Sequence, residues 1–189
     1  MNPRERILKR ASEMFISLGT KNVTMDLLAT DMGISKRTIY ELFKDKEDLI
    51  IESIQYMIME TNKENMRVIS ESSNVIEAIF EIMMRQETRR KQMPVVSQED
   101  IKKYFPIAKA RTFRGKDSFK KITAPLTLLK KGKDQGIFRM DLNIEVVDSF
   151  IFELISILHS SQLIRLLNPD QNDLFRSIVL PYFRGLCTA

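Results

Sequence analysis

Residues 23–49 read VTMDLLATDMGISKRTIYELFKDKEDL, and this stretch decides the fold. Thr24 is a helix-capping residue, and Leu27, Leu28 and Met32 follow it with apolar surface, so a short helix is expected through about Asp31. Gly33 supplies the backbone freedom a tight turn needs. Ser35 caps a second short helix over 36–42 that buries Ile39, Leu42 and Phe43. Asp45 caps a further helix, with Glu47 and Asp48 in the first turn, where the helix dipole favours acids. Two short helices joined by a tight turn form a helix-turn-helix, and that build implies duplex DNA as a partner.

Working outward, Asn2-Pro3-Arg4-Glu5 is a helix start, with a capping residue, proline in the first turn and an acid at the capping-box position. Ile7, Leu8, Ala11, Met14, Phe15 and Leu18 follow at helical spacing, and Gly19 ends the segment, giving a helix over 3–18. Beyond Asp45 the apolar stripe Leu49, Ile50, Ile54, Met57 and Ile58 carries the fourth helix to about residue 66 or further. Residues 75–91 read as helix. Ser97 to Asp100 reads as a capped start for a segment ended or kinked by Pro106. A helix over about 117–134 contains Pro125 and is expected to kink there. From Asn143 to Leu163 apolar residues occupy more than one helical face, and Asn168-Pro169 opens a last helix that Pro181 should bend or end early. The expected class is all-α with about nine helices. A three-helix DNA-binding domain at 1–46 is fused through the fourth helix to a larger helical domain at 47–189.

Composition narrows the function. The chain has 189 residues and 43% hydrophobic content, enough for a real core, and no apolar run approaches a membrane span. Its first ten residues are polar, unlike a secretory signal, and Cys187 is the only cysteine, so a reducing cytoplasm is expected. His159 and Cys187 stand alone and cannot make a Cys/His zinc site; no metal or cofactor is expected, and carboxylate sites are not touched by that count. No nucleophile–base pairing or glycine-rich phosphate loop is present, so an enzyme is not expected. Net charge is +5 and unevenly spread. Residues 1–50 hold 9 Lys/Arg and 8 Asp/Glu, whereas 85–140 hold 16 and 5. DNA affinity must therefore come from placed charges rather than a bulk basic field. The basic block reads either as a solvated face or as an attractor for an anion.

Residues 4–49, about a quarter of the chain, resemble the DNA-binding domain of the tetracycline-repressor (TetR) family. The resemblance rests on Ile7, Leu8, Ala11, Phe15, Gly19, Val23-Thr24, Leu28-Ala29, Gly33, Ser35-Lys36, Thr38-Ile39-Tyr40, Phe43 and Lys46-Glu47-Asp48-Leu49. It implies that the third helix lies in the major groove with its N-terminal residues nearest the bases. Ser35, Lys36, Arg37 and Thr38 are then the candidates for sequence choice, and Thr24, Tyr40 and Lys46 for phosphate positioning. Asp26 would repel phosphate and is expected to cap backbone N–H groups instead.

The resemblance further implies a homodimer on a near-palindromic operator, released by a small-molecule effector. The dimer surface would be the last two helices, with Phe150, Leu154, Ile157, Leu158, Phe175, Ile178, Val179 and Tyr182 as candidates. Their apolar excess points to the same surface. Met57, Met83, Met84 and His159 are weak candidates for an effector pocket, and the methionines suit an apolar or amphipathic guest. Ordinary core packing for the methionines, and a satisfied interface histidine, remain the alternatives. An activator, or a regulator answering to a protein, is the alternative function on the same fold.

Overall fold

The computed structural model describes residues 2–112, 124–160, 173 and 175–188. Among them the chain is all-helical, as expected, with nine α-helices. These are α1 (Pro3–Leu18), α2 (Met25–Met32), α3 (Lys36–Leu42), α4 (Lys46–Glu71), α5 (Val75–Gln92), α6 (Val95–Thr112), α7 (Ala124–Asp134), α8 (Ile144–Ser160) and α9 (Leu180–Leu186). A π-helical turn, Phe175–Val179, precedes α9. No helix among the described residues is long and apolar enough to cross a membrane. Two compact units form: Met1–Glu64 with Met83–Ile122, and Asn65–Ile82 with Thr123–Ala189.

In the first unit, helix boundaries follow local chemistry. Asn2 and Glu5 make a reciprocal capping box on α1, with Glu5 N–H donating to Asn2 Oδ1 at 2.8 Å and Asn2 N–H to Glu5 Oε2 at 3.2 Å. Gly33 takes the left-handed conformation, φ 65° and ψ 31°, that a side chain resists. There the N–H of Ile34 reaches back to Ala29 O at 3.0 Å and closes α2. Asp45 Oδ1 accepts from Asp48 N–H at 2.8 Å and starts α4. The core beneath these helices includes Ile7, Ala11, Phe15, Leu28, Ile39, Phe43, Leu49 and Ile51. Burying each large member fully contributes roughly 1.5–3 kcal/mol.

Helix α6 belongs to this unit and decides against an end at Pro106, one of the two expected outcomes. The proline does not end the helix, which runs on to Thr112. Pro106 is exposed, whereas Ala108 just beyond it is fully buried in the first core, so packing holds the helix past its missing N–H. Nor does Asp100 serve a helix start, since α6 already opens at Val95. Its carboxylate instead accepts from Thr20 N–H at 2.6 Å, tying α6 to the segment between α1 and α2.

The second unit has its own core, including Ile69, Val75, Ala78, Leu128, Leu129, Phe138, Val147 and Leu186. The end of α7 and the residue after it organise it through polar side chains. Lys131 Nζ donates to the carbonyls of Ile69, at 2.6 Å, and Ser72, satisfying the C-terminal end of α4. Gln135 Oε1 accepts from Val75 N–H at 2.8 Å at the start of α5. The kink expected at Pro125 falls at the edge of the described residues, because α7 is described only from Ala124 and residues 117–123 of the expected helix lie outside them. Pro181 falls in the first turn of α9 and opens that helix, after the π-helical turn, rather than ending it. The start expected at Asn168-Pro169 lies outside the described residues.

Gly132, buried in α7, faces the ring of Phe138, itself only 1% exposed. A β-carbon at Gly132 would meet that ring at 2.2 Å. Gly132→Ala is expected to lower stability by about 1–3 kcal/mol, because a packed ring must move. Chemical denaturation of the two proteins checks this, and an unchanged midpoint would show that the ring relocates freely.

Candidate nucleic-acid interface

Helix α3 has two faces. Ile39 is 0% exposed, and Phe43, which follows the helix, is 1% exposed. Lys36, Arg37 and Tyr40 lie on the solvent side, Tyr40 at 46%. The apolar anchors thus fix which side chains the helix offers outward.

The hydroxyls start the helices. Thr24 Oγ1 accepts from Leu27 N–H at 3.0 Å, and Ser35 Oγ from Thr38 N–H at 3.0 Å. The Ser35 and Thr38 hydroxyls also hydrogen-bond each other at 2.8 Å. Thr24, Ser35 and Thr38 therefore hold helix N-termini in place with the same oxygens that were candidates for DNA contact. The Tyr40 hydroxyl has no hydrogen-bond partner among the described residues and is free for one.

Both cations at the start of α3 are paired with acids. Lys36 Nζ donates to Asp26 Oδ2 at 2.7 Å, and this hydrogen bond, with the carboxylate's charge, holds Lys36 above its ordinary pKa. Asp26 was expected to cap backbone N–H groups. Thr24 takes that role on α2, and Asp26 reaches across to Lys36 instead. Arg37 Nε donates to Glu41 Oε1 at 2.9 Å, one helical turn on. Lys46, the first residue of α4, is half-buried and reaches Lys21 O only at 3.5 Å.

Sequence reasoning missed the residues that brace this face. Arg4 of α1 donates to Leu42 O at 2.7 Å, pairs with Glu52 of α4, and lays its guanidinium 4.6 Å from the centre of the Phe43 ring. It satisfies a carbonyl at the C-terminal end of α3 and packs on its last anchor. Arg111 of α6 pairs with Asp48 at 2.7 Å, beside the start of α4. Arg10 of α1 grips Asp31 of α2 at 2.5 Å, and that hydrogen bond holds Asp31 below the usual carboxylate range. Helical spacing marks none of these partners, because they lie 21 to 63 residues apart.

The other candidates fall elsewhere. Met57 is half-buried and lines a small cavity in the first unit with Phe15, Ile50 and Ile54, with room for no more than a water-sized guest. Met83 is half-buried and Met84 is 50% exposed. On α8, Phe150 and Ile157 are each 51% exposed and Leu154 is half-buried. Ile178, Val179 and Tyr182 are half-buried, and the Tyr182 ring lies 5.0 Å from that of Phe150. The side chains of Leu158, His159 and Phe175 lie outside the described residues.

Residues 7–52 match the family model of bacterial regulatory proteins of the tetR family. An uncharacterized HTH-type transcriptional regulator of Bacillus subtilis (strain 168), YhgD, is 33% identical over 88 residues, which cover 44% of this chain and 46% of that protein. The chain thus spans about half the length of that relative. The fatty acid degradation regulator FadR from Bacillus halodurans shares the fold along its length, with a TM-score of 0.59 at 18% identity and coverage of 100% of this chain and 97% of that one. A TetR-family transcriptional regulator from Mesorhizobium loti MAFF303099 gives 0.56 at 20% identity, covering 82% and 81%. Residues 7–52 therefore carry the DNA-binding helix-turn-helix of the tetR family's model, and the all-helical fold is similar to that of TetR-family transcriptional regulators.

Proposed function

We propose that the protein is a homodimeric transcriptional repressor of the cytoplasm that binds a near-palindromic operator and leaves it when a small effector binds. The observation that carries the DNA reading is the outward face of α3. With Ile39 and Phe43 anchored below, Lys36, Arg37 and Tyr40 stand together at the start of a seven-residue helix sized for a major groove. In this reading Lys36 and Arg37 address base edges. Thr24, Tyr40 and Lys46 set the register on phosphates, and Ser35 and Thr38 hold the reading turn. Residues 1–46 would do the reading and 47–189 the pairing and effector binding.

A second copy is supported by α8. Val146, Phe150 and Ile157 are 63%, 51% and 51% exposed, and they recur four and seven residues apart along one side of the helix. Such an apolar stripe is costly in water and is stabilised by another apolar surface. Paired across such a surface, two α3 helices would meet half-sites about one duplex turn apart, roughly 34–36 Å. An effector acts in this scheme by favouring a subunit arrangement with the wrong spacing. Methionines along α4 and α5 suit an apolar or amphipathic one.

Footprinting on the DNA upstream of the protein's own gene tests the reading. A protected, near-palindromic site is expected, with affinity reduced roughly three- to tenfold by Tyr40→Phe and by Lys46→Ala, the scale of one lost hydrogen bond or phosphate contact. No protected site, or no effect of either change, defeats it. For the dimer, Phe150→Glu with Ile157→Glu is expected to give a folded monomer in sedimentation and to lose most operator affinity. An unchanged dimer would place the interface elsewhere.

A further inference from the structure

Asp26 lies in the first turn of α2, and Lys36 is the first residue of α3, ten positions later across the Gly33 turn. Their side chains meet at 2.7 Å, and both are open to water, with side-chain exposures of 69% for Asp26 and 46% for Lys36. This pair therefore sits on the outward side of the helix-turn-helix, at the N-termini of both of its helices. Asp26 is not needed as the cap of α2, because Thr24 already fills that place. An exposed carboxylate beside the outward face of α3 is unfavourable toward DNA phosphates unless a nearby cation answers it.

We propose that Asp26 determines specificity by acting through Lys36. The carboxylate neutralises the ammonium, so that DNA of arbitrary sequence meets a pair with no net charge and gains nothing from this lysine. Exposed ion pairs contribute only about 0–1 kcal/mol, so the pair opens at little cost. It opens where a base edge, such as guanine O6 or N7, lies where the ammonium can exchange one acceptor for another. Backbone phosphates are present in every sequence, so an ammonium without its carboxylate would gain from them on any duplex. The pair thus suppresses a sequence-independent contact while leaving a sequence-dependent one available, a repulsive element of the kind that discrimination requires. Arg37 is paired with Glu41 in the same turn, but that acid is on α3 itself and travels with the arginine; Asp26 alone reaches Lys36 from the other helix.

The inference rests on the DNA reading proposed above. Its test measures binding of two fluorescent duplexes across a salt series, one carrying the protected upstream sequence and one a scrambled sequence of equal composition. Asp26→Asn is expected to tighten the scrambled duplex several-fold and to steepen its logarithmic salt slope by about one, as one more free cation requires. The upstream duplex should tighten less, so that the ratio of the two affinities falls. In a Lys36→Met background, Asp26→Asn should leave that ratio unmoved. Asp26→Ser should act as Asp26→Asn does, and thermal melts confirm that each variant is folded. An unchanged ratio in folded Asp26→Asn, or the same fall in the Lys36→Met background, overturns the role assigned to the pair. Failure of the wild-type chain to prefer the upstream duplex is a different result, and it overturns the DNA reading along with the inference.

Discussion

The buried pair Ile39 and Phe43 is the constraint on which the outward face of α3 depends. A seven-residue helix has too few hydrogen bonds to persist alone, so its existence and its rotation both come from what it buries. With Ile39 and Phe43 almost wholly removed from water, rotating α3 would expose two large apolar side chains at once. The outward position of Lys36, Arg37 and Tyr40 follows from that cost. Arg4 secures the same anchor from the other side, through Leu42 O, the Phe43 ring and Glu52. Local capping by Ser35 and the left-handed Gly33 set where the helix begins; burial sets which way it faces.

Charge in this unit is arranged pair by pair. Its first fifty residues are nearly balanced in sign, and Lys36, Arg37, Arg10 and Arg4 each meet a carboxylate. In the reading proposed above, a face built this way relies little on long-range attraction and more on which pairs exchange partners at the bases. The pairs from Arg10 to Asp31 and from Arg111 to Asp48 serve a different end, since they join separate helices. With the contact from Thr20 N–H to Asp100, they bind α1, α2, α4 and α6 into one compact unit. Exposed pairs of this kind contribute little singly, so their value lies in fixing geometry.

The second unit shows the same division of labour with different means. Lys131 on α7 and Gln135 just past its end satisfy the backbone at the end of α4 and the start of α5, a turn rich in serine and asparagine that offers little apolar surface of its own. Gly132 between them lets the Phe138 ring approach the helix backbone. The polar and the close-packed contacts of α7 are thus interleaved along a single turn. Helix α8 then contributes Val147 and Ile151 to the core while leaving Val146, Phe150 and Ile157 outside, which is why its sequence is apolar on more than one face.

Sequence by itself determined the helix-turn-helix, because every signal there is local. Caps at Asn2, Thr24, Ser35 and Asp45, turns at Gly19 and Gly33, and apolar spacing through Phe43 act within a few residues, and the structure carries each of them. The all-helical class was legible for the same reason. Tertiary structure alone decided the partners of the charges and the fate of the prolines. Asp26 read as a cap and proved to be the counter-charge of Lys36; Asp100 read as a helix start and proved to be an acceptor for Thr20. Pro106 read as a stop or a kink, and it is not a stop: α6 continues because Ala108 beyond it is buried. Capping and turn preferences depend on backbone conformation close along the chain. Ion pairing and burial depend on distances in space, which no spacing in sequence encodes until the helices have packed.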